Sequence, residues 1–231
     1  MTCRAKAERT TAGGVSPPAV SDAVEAVNLW SNAEHARDYL ERSARKPWRE
    51  TAYGHLVDIL PPAPARVLDL GCGDGEVISR VVAARPGIQG IACDFSPEML
   101  GRARDRFAKS VAVAVVEHDL DDPLPVEWGT FDLVVSAFAI HHVVDERKRA
   151  LYREVFDALE AGGMFCNLEH VASTTPELHE AFLVAVGAEE DPSNKLVAVE
   201  TQLGWLRETG FEQVECFYKW REVALLAGVR P

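Results

Sequence analysis

The residues best able to do chemistry fall in four short groups. The first is Asp69-Leu70-Gly71-Cys72-Gly73-Asp74-Gly75, with glycines at alternate positions after a branched apolar run that opens at Arg66. Glycine lets a backbone bend sharply and approach a ligand where a side chain would collide, and a plain turn needs only one. The dinucleotide fingerprint G-x-G-x-x-G sets a pyrophosphate on the following helix. Here Glu76 stands at the third glycine position, with Asp74 close before it. Two carboxylates repel a pyrophosphate and suit a phosphate-free, positively charged ligand. The second group is Asp94 with Phe95 and Met99, about twenty residues on. A carboxylate there can accept hydrogen bonds from both ribose hydroxyls; the alternative is a helix cap beside Ser96. The third group is Glu117-His118-Asp119-Leu120. The fourth runs from Ser136 and Ala137 to His141-His142, with His170 beside Glu169 further along. Histidine can take a proton from a nucleophile near neutral pH. His141 and His142 are therefore candidate general bases and His170 another, each with simple packing as the alternative. No Ser-His-Asp arrangement is evident.

These groups lie at the ends of predicted elements. Strands are expected near 66–70, 88–93, 111–117, 131–136 and 163–169, and helices near 75–85, 97–108, 145–160, 176–188 and 200–209. Ser96-Pro97 reads as a capped helix start with a first-turn proline, and Gly210 as a helix stop. Before them, capping-box spacing at Ser31-Asn32-Ala33-Glu34 predicts a helix from about 32 to 45. Pro47 starts the next helix and Pro61-Pro62 ends it. Strand–helix alternation predicts an α/β, doubly wound, mostly parallel sheet. Residues 211–218 and 222–228 read as two strands joined tightly without a helix, which implies an antiparallel addition at one edge. Ligands in such sheets bind outside the carboxyl ends of the strands, where all four groups fall.

The strand followed by D-L-G-C-G-D-G resembles motif I of the class I methyltransferases that bind S-adenosylmethionine (SAM). The pattern over roughly residues 50–231 resembles their seven-stranded sheet with a reversed terminal strand. The resemblance implies a SAM site, with S-adenosylhomocysteine as product, built by Asp69, Gly71, Cys72, Gly73, Asp94, Phe95 and Met99. It also implies that Asp119 and the backbone of Leu120 meet the adenine, and that backbone at Ser136 and Ala137 lies near the methionine part. Leu159-Glu160-Ala161-Gly162-Gly163 matches the family's L-x-P-G-G only in part. In this family N-terminal helices and insertions after later strands cover the acceptor. That assigns Trp30, Arg37, Tyr39 and Trp48, then Glu189, Asn194 and Lys195, with His170, Trp205, Tyr218 and Trp220 as further wall candidates; Tyr39 is the one expected over the SAM site. The organisation implied is a tail over 1–20, a helical cap over 21–62 and a SAM-binding domain over 63–231 with a substrate insertion near 171–200. The expected reaction is methyl transfer to an oxygen, nitrogen or carbon of a small molecule. A tRNA- or protein-modifying enzyme, and a silent SAM-binding subunit, are the alternatives.

Composition sets limits on partners. The chain has 231 residues and a formal net charge of −12, enough length for one α/β core and a surface that repels nucleic acid. No apolar run reaches membrane-spanning length and no signal segment opens the sequence. Cys3, Cys72, Cys93, Cys166 and Cys216 lack metal-site spacing, so zinc has little support and a reducing, cytoplasmic setting is expected. Arg102, Arg104 and Arg106 around Asp105 read as a solvated helix face. Homo-oligomerisation is left open.

Overall fold

The computed structural model describes residues 46–231; the expected tail and the helix over 32–45 lie outside them. Helix α1 (Pro47–Ile59) begins at its proline, whose missing N–H would have no partner in a first turn, and stops ahead of Pro61-Pro62. Seven strands follow: β1 (Arg66–Leu70), β2 (Gln89–Asp94), β3 (Val113–Glu117), β4 (Phe131–Ala137), β5 (Leu159–His170), β6 (Glu212–Trp220) and β7 (Val223–Val229). Between them run α2 (Glu76–Ala84), α3 (Pro97–Phe107), α4 (Asp145–Ala158), α5 (Pro176–Val186) and α6 (Val199–Thr209). The strand order is β3-β2-β1-β4-β5-β7-β6, and β7 alone runs opposite to the other six. This is the doubly wound sheet with a reversed terminal strand that the alternation of elements predicts.

Alternation along the central strands divides the core. Val67, Leu133 and Val135 face a layer made with α1, α2 and α3, including Leu56, Ile78 and Ala103. Leu68, Leu70, Val134 and Phe165 face Leu151, Tyr152, Val155 and Leu206 of α4 and α6. Both faces of the sheet are covered, as a parallel sheet requires. Strand β1 lies between β2 and β4, so the winding reverses there and a crevice opens beyond its carboxyl end.

Two local expectations are corrected. Strand β5 begins at Leu159 rather than 163, because Gly162 N–H donates to Arg230 O at 2.7 Å and Arg230 N–H to Gly163 O at 2.8 Å. The glycine pair is thus pulled into the sheet by the far end of the chain. Ser96 occupies the N-cap of α3 but its hydroxyl is buried without a partner. Asp94 does the side-chain work instead, its Oδ1 accepting from Ser96 N–H at 2.9 Å.

Helix α5 contributes no buried residue and is held largely by polar contacts. His179 sits between two carboxylates, with Nδ1 2.7 Å from Glu222 Oε1 and Nε2 against Glu190 Oε2. Ser173 Oγ–H also donates to Glu222 Oε1 at 2.5 Å. Both ring nitrogens donate only in the imidazolium, and the hydrogen bonds to Glu190 and Glu222 raise the pKa above its ordinary 6.5. A raised folded pKa gives stabilisation that is complete below the unfolded value and is lost as pH rises through the folded one. Amide-exchange protection of α5 is therefore expected to be full below the ordinary 6.5 and to drop as pH rises through the raised folded value. In His179→Gln the drop should vanish; an unchanged pH dependence in that variant would contradict the clamp.

Candidate active site

The glycine loop leaves β1 with left-handed backbone at Gly71 (φ 64°) and Gly73 (φ 55°). A Cβ on Gly71 would lie 2.3 Å from Ala139 Cβ, so the loop packs directly on the segment after β4. A Cβ on Gly73 would meet only Met99 Sδ, at 4.0 Å. Gly71 is thus required by its neighbours, and Gly73 is favoured by its left-handed backbone, with space left around it at the strand ends. Cys72 N–H donates to Cys93 O at 2.8 Å, joining the ends of β1 and β2. Asp94 Oδ2 accepts from Gly73 N–H at 2.9 Å while Oδ1 holds Ser96. Each carboxylate oxygen has a second lone pair, so the capping role and a ribose role are compatible.

Asp69 is fully buried. Its Oδ2 accepts from Ile78 N–H at 3.2 Å and its Oδ1 has no partner. Burial pushes this carboxyl up to about 8; a nearby cation would favour the ionised form. Ser136 Oγ–H donates to Leu70 O at 2.9 Å, tying the end of β4 to the end of β1. Asp119 closes its own loop, Oδ1 accepting from Asp121 N–H at 3.0 Å, and Leu120 is buried behind it. Phe95 is half-buried and Met99 buried beside the glycine loop.

The other half of the crevice is built by the ends of β4 and β5. Phe138 is held with a positive φ of 57°, a costly state for a bulky residue, and its N–H donates to Leu168 O at 2.8 Å. This kink sends the chain into a short 3₁₀ turn, Ile140–His142. His141 is buried there, with Nδ1 2.5 Å from Glu169 Oε1. The same oxygen accepts from His170 N–H at 2.8 Å, while Glu169 Oε2 is buried without a partner. The insertion after α5 fastens the turn: Lys195 N–H donates to His141 O at 2.8 Å and Lys195 Nζ to His142 O at 2.5 Å. His142, half-buried, sets Nδ1 3.1 Å from Ser193 Oγ. His170 lies against His141 edge-on, ring centroids 5.2 Å apart.

Burial dominates the electrostatics of this half. It pushes the imidazoles of His141, His142 and His170 down to about 3 and the Glu169 carboxyl up to about 7. All three rings are therefore neutral at physiological pH.

The structure thus brings His141, His142 and His170 together with Glu169, a partner 28 residues from His141 that no spacing in the sequence links to it. Its signal was an acidic residue at the end of a buried strand. Trp220 stacks on Trp48, whereas Tyr218 stacks on His55 and serves to pack α1 on β6. Trp205 lies with Tyr152 between α4 and α6, away from the crevice. Trp30, Arg37 and Tyr39 fall outside the described residues. Arg106 corrects the expectation of a wholly solvated arginine face. It pairs with Asp74 Oδ2 at 2.6 Å and Glu76 Oε2 at 3.0 Å, and Arg80 also pairs with Glu76. The loop's two outer carboxylates are thus compensated, and the acidic groups left for a ligand are Asp69 and Asp94.

Comparison with known proteins agrees with this geometry. Residues 67–163 match the family model of a methyltransferase domain. The demethylmenaquinone methyltransferase of Clavibacter sepedonicus is 31% identical over 192 residues, covering 75% of this chain and 76% of that one. This chain is a class I SAM-dependent methyltransferase. Among solved structures, an O-methyltransferase family protein from Burkholderia thailandensis superposes with a TM-score of 0.69 at 21% identity, covering 87% of this chain. Human N-acetylserotonin methyltransferase in complex with SAM superposes with a TM-score of 0.66 at 16% identity, covering 91%. The chain spans 61% and 60% of those two solved chains. The methyltransferase fits its cofactor on chemical grounds: a buried carboxylate oxygen lacks a donor at Asp69, a second carboxylate keeps acceptor capacity at Asp94, and no phosphate is needed. Among the described residues no helix is long and apolar enough to cross a membrane.

Proposed function

We propose that this methyltransferase acts on a small acceptor that must lose a proton from oxygen or carbon, and that His141, held by Glu169, is the base. SAM supplies an electrophilic methyl on a sulfonium; everything else falls to the protein. Asp94 with Gly71, Cys72 and Gly73 would hold the nucleoside end, Asp119 and Leu120 the adenine, and Asp69 with backbone at Ser136 and Ala137 the amino-acid end. In-line transfer gains most of its rate from placing the acceptor atom near the methyl, worth roughly 7–11 kcal/mol. The remaining demand is removal of the acceptor's proton.

The observation that carries this reading is the 2.5 Å contact of His141 Nδ1 with Glu169 Oε1. With Glu169 ionised, Nδ1–H donates to the carboxylate and Nε2 presents its lone pair. A proton arriving at Nε2 makes an imidazolium against the carboxylate, so the buried pair goes from a net charge of −1 to neutral. With Glu169 protonated, its O–H donates to Nδ1, Nε2 carries the ring proton, and the base is lost. Turnover is therefore expected to rise with pH as Glu169 ionises, with an inflection above the ordinary carboxylate range because burial raises its pKa. Glu169→Gln should lower the plateau by about tenfold or more and flatten that inflection. The profile is measured as transfer of labelled methyl from SAM to hydroxylated aromatic acceptors. An inflection unchanged in Glu169→Gln would remove the carboxylate from the mechanism, and SAM binding without transfer would favour a silent subunit. The buried free thiols of Cys72, Cys93 and Cys166 support a reducing, cytoplasmic setting.

A further inference from the structure

Trp48, in the first turn of α1, forms part of the wall beside the histidines. Its ring lies edge-on to Phe138 at 5.7 Å and to His170 at 6.0 Å, and stacks on Trp220 at 5.9 Å. Its indole Nε1 is buried and has no hydrogen-bond partner. An indole nitrogen is a donor only, and a buried tryptophan usually finds an acceptor for it. Folding therefore leaves a donor unused in the aromatic wall one ring away from the His141–Glu169 pair.

We infer that Trp48 recognises the acceptor, its N–H donating to an oxygen of a flat aromatic or quinoid molecule. This rests on the reading of the same crevice as the acceptor site. Flatness follows from the walls. Phe138 is fixed by its kinked backbone and covered by the Arg49 guanidinium at 4.3 Å, and His170 tilts against it at 4.9 Å. Ring faces and edges of this kind favour a planar guest. The oxygen follows from the donor: only a lone pair completes it. An oxygen conjugated with the reacting centre also collects the negative charge that forms as His141 takes the proton, and a fixed donor stabilises that charge.

The test uses two probes of similar shape, 2-acetonaphthone and 2-isopropylnaphthalene, which differ in a carbonyl oxygen. Calorimetry on the full chain saturated with S-adenosylhomocysteine should show the ketone binding about tenfold tighter than the hydrocarbon. In Trp48→Phe that gap should close to within about twofold while S-adenosylhomocysteine affinity is kept. His141→Ala should preserve the gap, which separates this inference from the assignment of the base. The indole N–H resonance of Trp48 in the unmutated protein gives an independent reading, moving downfield with the ketone and not with the hydrocarbon. A gap that survives Trp48→Phe, or no preference for the ketone, overturns the inference.

Discussion

His141→Ala is expected to cut methyl transfer by a factor of about 10²–10⁴ while leaving SAM affinity nearly intact. The split follows from where His141 sits. Its ring lies beyond β4 and is bonded to Glu169 of β5, whereas the side chains assigned to SAM follow β1, β2 and β3 and β4 lends only backbone at Ser136 and Ala137. The change also leaves the Glu169 carboxyl buried with only His170 N–H on Oε1, so a lower melting temperature is expected alongside. Turnover is therefore compared well below each variant's melting point, with SAM binding by calorimetry as the control. A variant that keeps most of its activity would mean that placement of the acceptor suffices.

Asp94→Ala carries the second large effect, and it falls on the cofactor. Hydrogen bonds to a charged group contribute about 1.5–3 kcal/mol each, so losing a pair to the ribose weakens SAM by about 10²–10⁴-fold. Part of that loss is indirect, because Asp94 also anchors Gly73 N–H and Ser96 N–H at 2.9 Å each. Asp94→Asn separates the two contributions. It keeps an acceptor oxygen and the shape, and is expected to lie between the wild type and alanine in SAM affinity. Calorimetry that finds either variant binding SAM as the parent does would take Asp94 out of the ribose role.

Much of this architecture can be read in the sequence because periodicity and turn chemistry are local. The run Val67–Leu70 ending in three glycines defines both a buried strand and the loop beyond it, and Pro47, Pro97 and Gly210 mark helix ends within a residue or two. The site is legible only on the side that its own motif supplies. The partners that give the other groups their properties are distant in the chain. Glu169 is 28 residues from His141, Ser193 is 51 from His142, and Arg106 is 32 from Asp74. No spacing rule links such pairs; the register of β4 with β5, which sets Ala137 beside Leu168, creates the His141–Glu169 contact. The extension of β5 through its glycine pair has the same origin, since it depends on Arg230 at the opposite end of the domain. The cap at α3 differs in kind. Serine and aspartate both satisfy cap chemistry there, and the loop geometry chooses Asp94.

In the proposed mechanism His141 is a neutral base whose proton position is set by Glu169, and histidine-selective nitrogen NMR of the S-adenosylhomocysteine complex tests this without any acceptor. The His141 ring should remain uncharged as pH falls through the ordinary 6.5, because burial lowers its pKa. Its proton should reside on Nδ1 at high pH and shift toward Nε2 as pH falls and Glu169, its pKa raised by burial, takes up a proton. A His141 that becomes imidazolium near the ordinary 6.5, or that keeps its proton on Nε2 across the whole range, would contradict the account.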